Sequence, residues 1–139
     1  MAETPAAEPQ EAATHFRSKL AFETDPADLF ADLNKGIELV IVDTRSASAY
    51  EEEHIPGAIS LPHRTISEAS TRDVPKDRLL VTYCWGPGCN ASTKGALRLA
   101  VLGFGVKELI GGIEYWKREG YPVERTSDGS GAALYPEPK

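Results

Sequence analysis

Short apolar runs alternate with stretches of helical length along this chain. Glu38-Leu-Val-Ile-Val-Asp43 and Leu79-Leu-Val-Thr-Tyr83 are nearly continuous runs of β-prone residues. Such runs fit strands covered on both faces, as in a parallel sheet. Ala58–Leu61 and Val106–Ile110 predict two shorter strands, and Lys19–Glu23 a short edge strand. Asp25-Pro26 is a helix start, with Asp25 as the cap and Pro26 in the first turn. Leu29, Phe30 and Leu33 then share one face, and Gly36 stops the helix. Ser46–Glu53 predicts a capped helix, Arg64–Ser70 a weak one, and Ile113–Glu119 a last one with Trp116 in the core. Ala91–Leu102 predicts a helix capped by Asn90, burying Ala96, Leu97, Ala100 and Val101. Strands alternating with helices argue for an α/β fold with a parallel sheet.

The ends carry a different composition. Residues 1–16 are rich in Ala, Glu and Pro and predict a disordered tail, leaving 17–125 as a single domain and 126–139 as a C-terminal tail. That last segment could instead wrap the surface through Leu134 and Tyr135. At 139 residues and 41% apolar content, the chain can bury one core. A net charge of −6 argues against nucleic acid and anionic membranes as partners, and no apolar run approaches a membrane span. The acidic, Pro-rich start is not a secretory signal, and two cysteines five apart are no disulfide framework, so the cytoplasm is the expected location. Nothing signals an obligate oligomer; a monomer or weak dimer is expected.

The chemistry concentrates between the Leu79–Tyr83 run and the helix that follows it, in Cys84-Trp85-Gly86-Pro87-Gly88-Cys89-Asn90. A strand that delivers a residue to a loop just before a helix places it by unpaired N–H groups and partial positive charge. A cysteine held there becomes a ready nucleophile, with its thiol pKa lowered. Gly86 and Gly88 allow positive φ, so that successive amides can point inward as a nest. Pro87 removes one donor and stiffens the turn. Trp85 either walls the pocket or packs beneath it. Cys89 is either a resolving thiol for Cys84 or, the preferred reading, a small side chain filling the turn. Asp43, Thr44 and Arg45 end a strand and fall on the same side as Cys84. Asp43 and Arg45 are read as an ion pair around the loop rather than as substrate contacts. His54 is read as a hydrogen-bonding brace rather than a general base. A metal site is disfavoured, because Cys84 and Cys89 lack a second ligand pair, and no cofactor is expected.

Four segments together resemble the single-domain rhodanese-like sulfurtransferases: Val42-Asp-Thr-Arg45; Glu53-His-Ile-Pro-Gly-Ala-Ile-Ser-Leu-Pro62; the Tyr83-Cys84 strand-to-loop step; and Gly111-Gly-Ile-Glu-Tyr-Trp116 with Gly120-Tyr-Pro-Val123. The resemblance covers roughly residues 20–124. It implies a five-stranded parallel sheet with helices on both faces. It also implies that Cys84 takes a sulfane sulfur from a donor such as thiosulfate, polysulfide or a persulfide, and passes it to a thiophile such as cyanide or a thiol. The sequence departs from the family pattern at the sixth loop position, often Arg, which here is Cys89. The Cys-x5-Arg pattern of dual-specificity phosphatases fails too, since Asn90 replaces the Arg and no residue from Trp85 to Ser92 is charged. Phosphoryl transfer needs a cationic clamp and is disfavoured. Sulfur transfer needs only main-chain N–H groups to hold a persulfide, although a dianionic donor such as thiosulfate would favour a nearby cation. Arg45, Arg64 and Lys94 are the candidates for that charge. The alternatives to an enzyme are a binding or regulatory module on the same scaffold, and a thiol-redox sensor built from Cys84 and Cys89.

Overall fold

The computed structural model describes residues 3–126. The elements run α1 (Pro9–Phe22), β1 (Glu23–Thr24), α2 (Pro26–Asn34), β2 (Leu39–Asp43), α3 (Ala47–Glu52), β3 (Ile59–Ser60), a 3-10 turn (His63–Thr65), β4 (Leu79–Tyr83), α4 (Ala91–Val101), β5 (Val106–Leu109) and α5 (Gly112–Arg118). All five strands pair in parallel, in the order β1-β5-β4-β2-β3. β2 and β4 lie in the middle in register, Leu39 opposite Leu79 and Asp43 opposite Tyr83. The C-terminal ends of these two strands therefore deliver Thr44 and Cys84 side by side.

The apolar runs divide between two cores, as the period of two requires. Ile41, Val81 and Tyr83 face one side, with Leu29 of α2 and Ile113 and Trp116 of α5. Val42 and Leu80 face the other, with Leu99 of α4, Ile66 and Phe104. The chain is thus a doubly covered α/β sheet. Among the described residues no helix is long and apolar enough to cross a membrane.

Local signals explain most boundaries. Asp25 Oδ1 accepts the Asp28 amide at 2.8 Å and caps α2, and Ser46 Oγ accepts the Ala49 amide at 3.2 Å and caps α3. Four expectations need correction. Residues 9–22 form a helix where a disordered tail and an edge strand were predicted; only Glu23–Thr24 enters the sheet. This helix buries none of its residues, so it has no apolar stripe to announce it, and its Ala-rich turns and the Pro9 start carry it instead. The Arg64–Ser70 helix is reduced to the 3-10 turn at its start, followed by further turns.

The other two corrections concern α4. It buries Ser92, Gly95 and Leu99 rather than the predicted stripe, and leaves Leu97 and Val101 exposed. A Cβ on Gly95 would lie 2.7 Å from Thr44 Cγ2. The helix is rotated to bring this bare backbone against the β2 end, and that decides which side faces inward. Asn90 occupies the cap position of α4, but its side chain caps no amide. The predicted tail 126–139 lies almost wholly outside the described residues.

Candidate active site

Cys84 sits where β4 ends, 2% exposed, and its main chain is fixed from two sides. The Tyr83 carbonyl just before it accepts from the Thr44 amide (3.1 Å) and the Thr44 hydroxyl (2.7 Å). Beyond it, the Cys84 and Trp85 carbonyls accept the Ile113 and Glu114 amides at the start of α5, each at 2.9 Å. The turn Gly111-Gly112 makes that approach possible. Both residues have positive φ (83° and 61°). A Cβ on Gly112 would lie 2.5 Å from Cys84 O and 2.7 Å from both Gly86 N and Trp85 C. A side chain there would push the loop off α5.

The loop itself curls back to α4. The Cys89 amide donates to the Gly86 carbonyl at 3.1 Å. The first intrahelical bond runs from the Lys94 amide to the Asn90 carbonyl at 3.0 Å, so the amides of Ala91, Ser92 and Thr93 precede the ladder and no side-chain cap from Asn90 takes them. The first turn is anchored to the sheet. Thr82 Oγ1 donates to the Ser92 carbonyl (3.0 Å), and the Ser92 and Thr93 hydroxyls donate to Glu108 Oε2. The nest expected from the loop glycines does not form, since neither Gly86 nor Gly88 has positive φ. A Cβ on Gly86 would meet Glu114 Oε1 at 2.6 Å, the tip of a half-exposed side chain that can swing aside. The loop leads directly into the start of α4, which no Asn90 side chain caps.

The two cysteines are joined by a disulfide, with Cα atoms 6.3 Å apart. The preferred reading of Cys89 as a buried turn filler therefore does not hold; Cys89 is partly exposed and bonded to Cys84.

Beneath the loop lies a buried polar knot. Asp43, fully buried, accepts from Arg45 Nε (3.0 Å) and Nη2 (2.7 Å), from the Arg45 amide (2.9 Å) and from the Tyr83 hydroxyl (2.7 Å). Arg45 Nη2 also donates to the Glu53 carbonyl at 2.6 Å, and Tyr83 Oη accepts the Ile55 amide at 3.1 Å. Burial pulls the Arg45 pKa down, but the Asp43 carboxylate outweighs it and the pKa is raised. Burial, reinforced by Asp43, raises the Tyr83 phenol well above its ordinary value, so it stays a donor. Arg45 Nη1 has no hydrogen-bond acceptor; the guanidinium lies 4.5 Å from the centre of the Trp85 ring. Trp85, half exposed, thus roofs the knot and walls a cavity of about 430 Å3 lined by Glu53, Ile113, Glu114, Lys117 and Arg118.

A model of the rhodanese-like domain matches residues 26–119, most of the described chain. The chain belongs to the rhodanese-like family. It is 37% identical over 87 residues to the thiosulfate sulfurtransferase GlpE of Coxiella burnetii, covering 62% of this chain and 78% of that one. Over 90 residues it is 38% identical to the HTH-type transcriptional regulator Rv0324 of Mycobacterium tuberculosis, covering 63% of this chain but only 38% of the regulator. The crystal structure of the BH2092 protein from Bacillus halodurans superposes with a TM-score of 0.83 at 48% identity, over 95% of this chain and 93% of that one. Sulfurtransferases are thus among its named relatives.

Within this rhodanese-like fold the predicted residues fall into two groups. Cys84, Trp85, Gly86, Pro87, Gly88, Cys89 and Asn90 form the loop between β4 and α4, with Asp43 and Arg45 beneath it. Arg64 stands apart. With Lys94 and Arg98 it surrounds His63, whose pKa is lowered by burial and then by these three cations. His54 is held at both ring nitrogens, Nδ1 by the Tyr50 carbonyl (2.7 Å) and Nε2 by Glu124 Oε2 (3.1 Å), and stacks on Tyr50. Sequence reasoning missed Thr44, Tyr83 and Gly112 as the residues that fix the Cys84 main chain. For Gly112, the place of the Gly111-Gly112 pair directly before a helix was the available signal.

Proposed function

We propose that this chain is a sulfurtransferase in which Cys84 carries the transferred sulfur as a persulfide. The Cys84 thiolate attacks the outer sulfur of a donor. The S–S bond of the donor breaks and its remainder leaves: sulfite from thiosulfate, or a thiolate from a persulfide or polysulfide. An acceptor then attacks the outer sulfur of Cys84–S–S⁻, and the Cys84 thiolate departs with the electron pair. With cyanide the product is thiocyanate; with a thiol it is a new persulfide. The carrying observation is the placement of Cys84 directly after β4, in the loop that leads into an 11-residue helix whose cap residue, Asn90, caps no amide with its side chain. The first amides of that helix and its dipole favour the anionic thiolate, the persulfide and the departing thiolate alike.

The uncharged loop favours donors whose reacting group carries a single charge, such as low-molecular-weight persulfides, over the thiosulfate dianion. The cycle starts from the dithiol, so a reducing compartment such as the cytoplasm suits it. We expect it to work as a monomer or weak dimer on small-molecule sulfur donors and acceptors. The test is thiocyanate formation by the pre-reduced protein from polysulfide and from thiosulfate. Cys84→Ser is expected to fall to the uncatalysed rate with both donors; a variant as fast as the parent would end this reading.

A further inference from the structure

Cys89 stands at the sixth loop position, where the family resemblance leads one to expect a cation, and it is bonded to Cys84. Its Cα lies 6.3 Å from that of Cys84, inside the range a disulfide spans. The turn from the Gly86 carbonyl to the Cys89 amide holds the loop in this curl. Exposure divides the pair unequally. Cys84 is 2% exposed, whereas Cys89 is partly open to solvent. An external thiol therefore competes for Cys84 against a neighbour already in place, and such intramolecular attack gains orders of magnitude in effective concentration.

We infer that Cys89 resolves the Cys84 persulfide and makes this protein a sulfide-releasing persulfide reductase. The inference rests on the persulfide reading above. Cys89 Sγ abuts Cys84 Sγ, which becomes the inner sulfur once a second atom is loaded, so attack falls on that inner sulfur. The Cys89 thiolate forms the Sγ–Sγ bond. The bond between inner and outer sulfur breaks, and the outer atom leaves as hydrosulfide with the electron pair. The sulfane sulfur is reduced to sulfide and the two thiols are oxidised to the disulfide. A dithiol reductant closes the cycle by attacking Cys89, the exposed sulfur. Cys84 is then expelled at the helix terminus, which stabilises the leaving thiolate. Summed over the cycle, one persulfide and one dithiol give one thiol, one sulfide and one disulfide. The substrates are low-molecular-weight persulfides, and the electron donor is a dithiol.

The test uses the full chain, pre-reduced, freed of reductant and kept anaerobic, with one equivalent of thiosulfate. The other product is sulfite, so any sulfide comes from the protein persulfide. The parent should release stoichiometric sulfide and finish two hydrogens lighter than the dithiol form. Cys89→Ser, and Cys89→Ala as a second variant, should instead gain the mass of one sulfur and release sulfide about 100-fold more slowly or less. If the parent keeps the added sulfur and releases no sulfide, the inference is overturned while the persulfide reading stands. If neither the parent nor either variant takes up sulfur, from thiosulfate or from an organic persulfide supplied in its place, both fall together.

Discussion

Replacing Gly112 by Ala tests whether α5 sets the position of Cys84. The new Cβ would lie 2.5 Å from the Cys84 carbonyl oxygen, which must retreat roughly 0.9 Å to reach the 3.4 Å of ordinary contact. The other two clashes, with Gly86 N and Trp85 C, are also with backbone, so no side chain can swing aside. The φ of 61° adds about 1 kcal/mol for a residue with a Cβ. Loosening the 2.9 Å bonds from the Ile113 and Glu114 amides costs about 1 kcal/mol each. The expected destabilisation is about 3 kcal/mol, read from the urea midpoint at constant slope. A displacement of this size at the sulfur-bearing residue should also slow sulfur transfer about 100-fold. Gly120→Ala is the matched control. Its φ is 87°, but a Cβ there meets nothing within 4 Å, so it should cost only about 1 kcal/mol and leave the rate unchanged. If the two variants behave alike in both assays, α5 does not position the loop.

Asp43→Asn leaves the Arg45 guanidinium buried without its counter-charge and should destabilise the fold by about 3–5 kcal/mol in urea unfolding; a loss below about 1 kcal/mol would mean that solvent reaches Arg45. His63 should titrate below its ordinary value of 6.5 by NMR, and Lys94→Gln should move it back up. Because the folded state disfavours the protonated ring, the His63 contribution to stability is present above 6.5 and is lost as the pH falls through the lower folded value. A midpoint at or above 6.5 in the parent would contradict the crowding of cations around it.

The β2 and β4 strands were legible because both their faces are apolar, and the Cys84 loop because a turn-rich segment separates such a strand from a helix. Features built on bare backbone were harder to read. Gly95 defines the inward side of α4 because it lets Thr44 approach, and a count of apolar side chains points to Leu97 and Val101 instead. Gly112 matters for the same reason, where the loop glycines had drawn attention through an expected positive φ they do not adopt. α1 was missed because it buries nothing, and intrinsic helix propensity without periodicity is a weak signal. The Asp43–Tyr83 bond joins residues 40 apart, and only the pairing of β2 with β4 brings them together. The joining of Cys84 to Cys89 depends on the curl of the loop, which spacing alone leaves open.

The most direct measurement is the mass of the Cys84-bearing peptide from reduced Cys89→Ser protein, in which no neighbouring thiol can resolve a persulfide, mixed with a polysulfide and acid-quenched within the first turnover. A gain of one sulfur atom on Cys84, absent from Cys84→Ser, is the predicted result. A Cys89→Ser peptide of unchanged mass, or sulfur gained by Cys84→Ser, would contradict the assignment of Cys84 as the sulfur carrier.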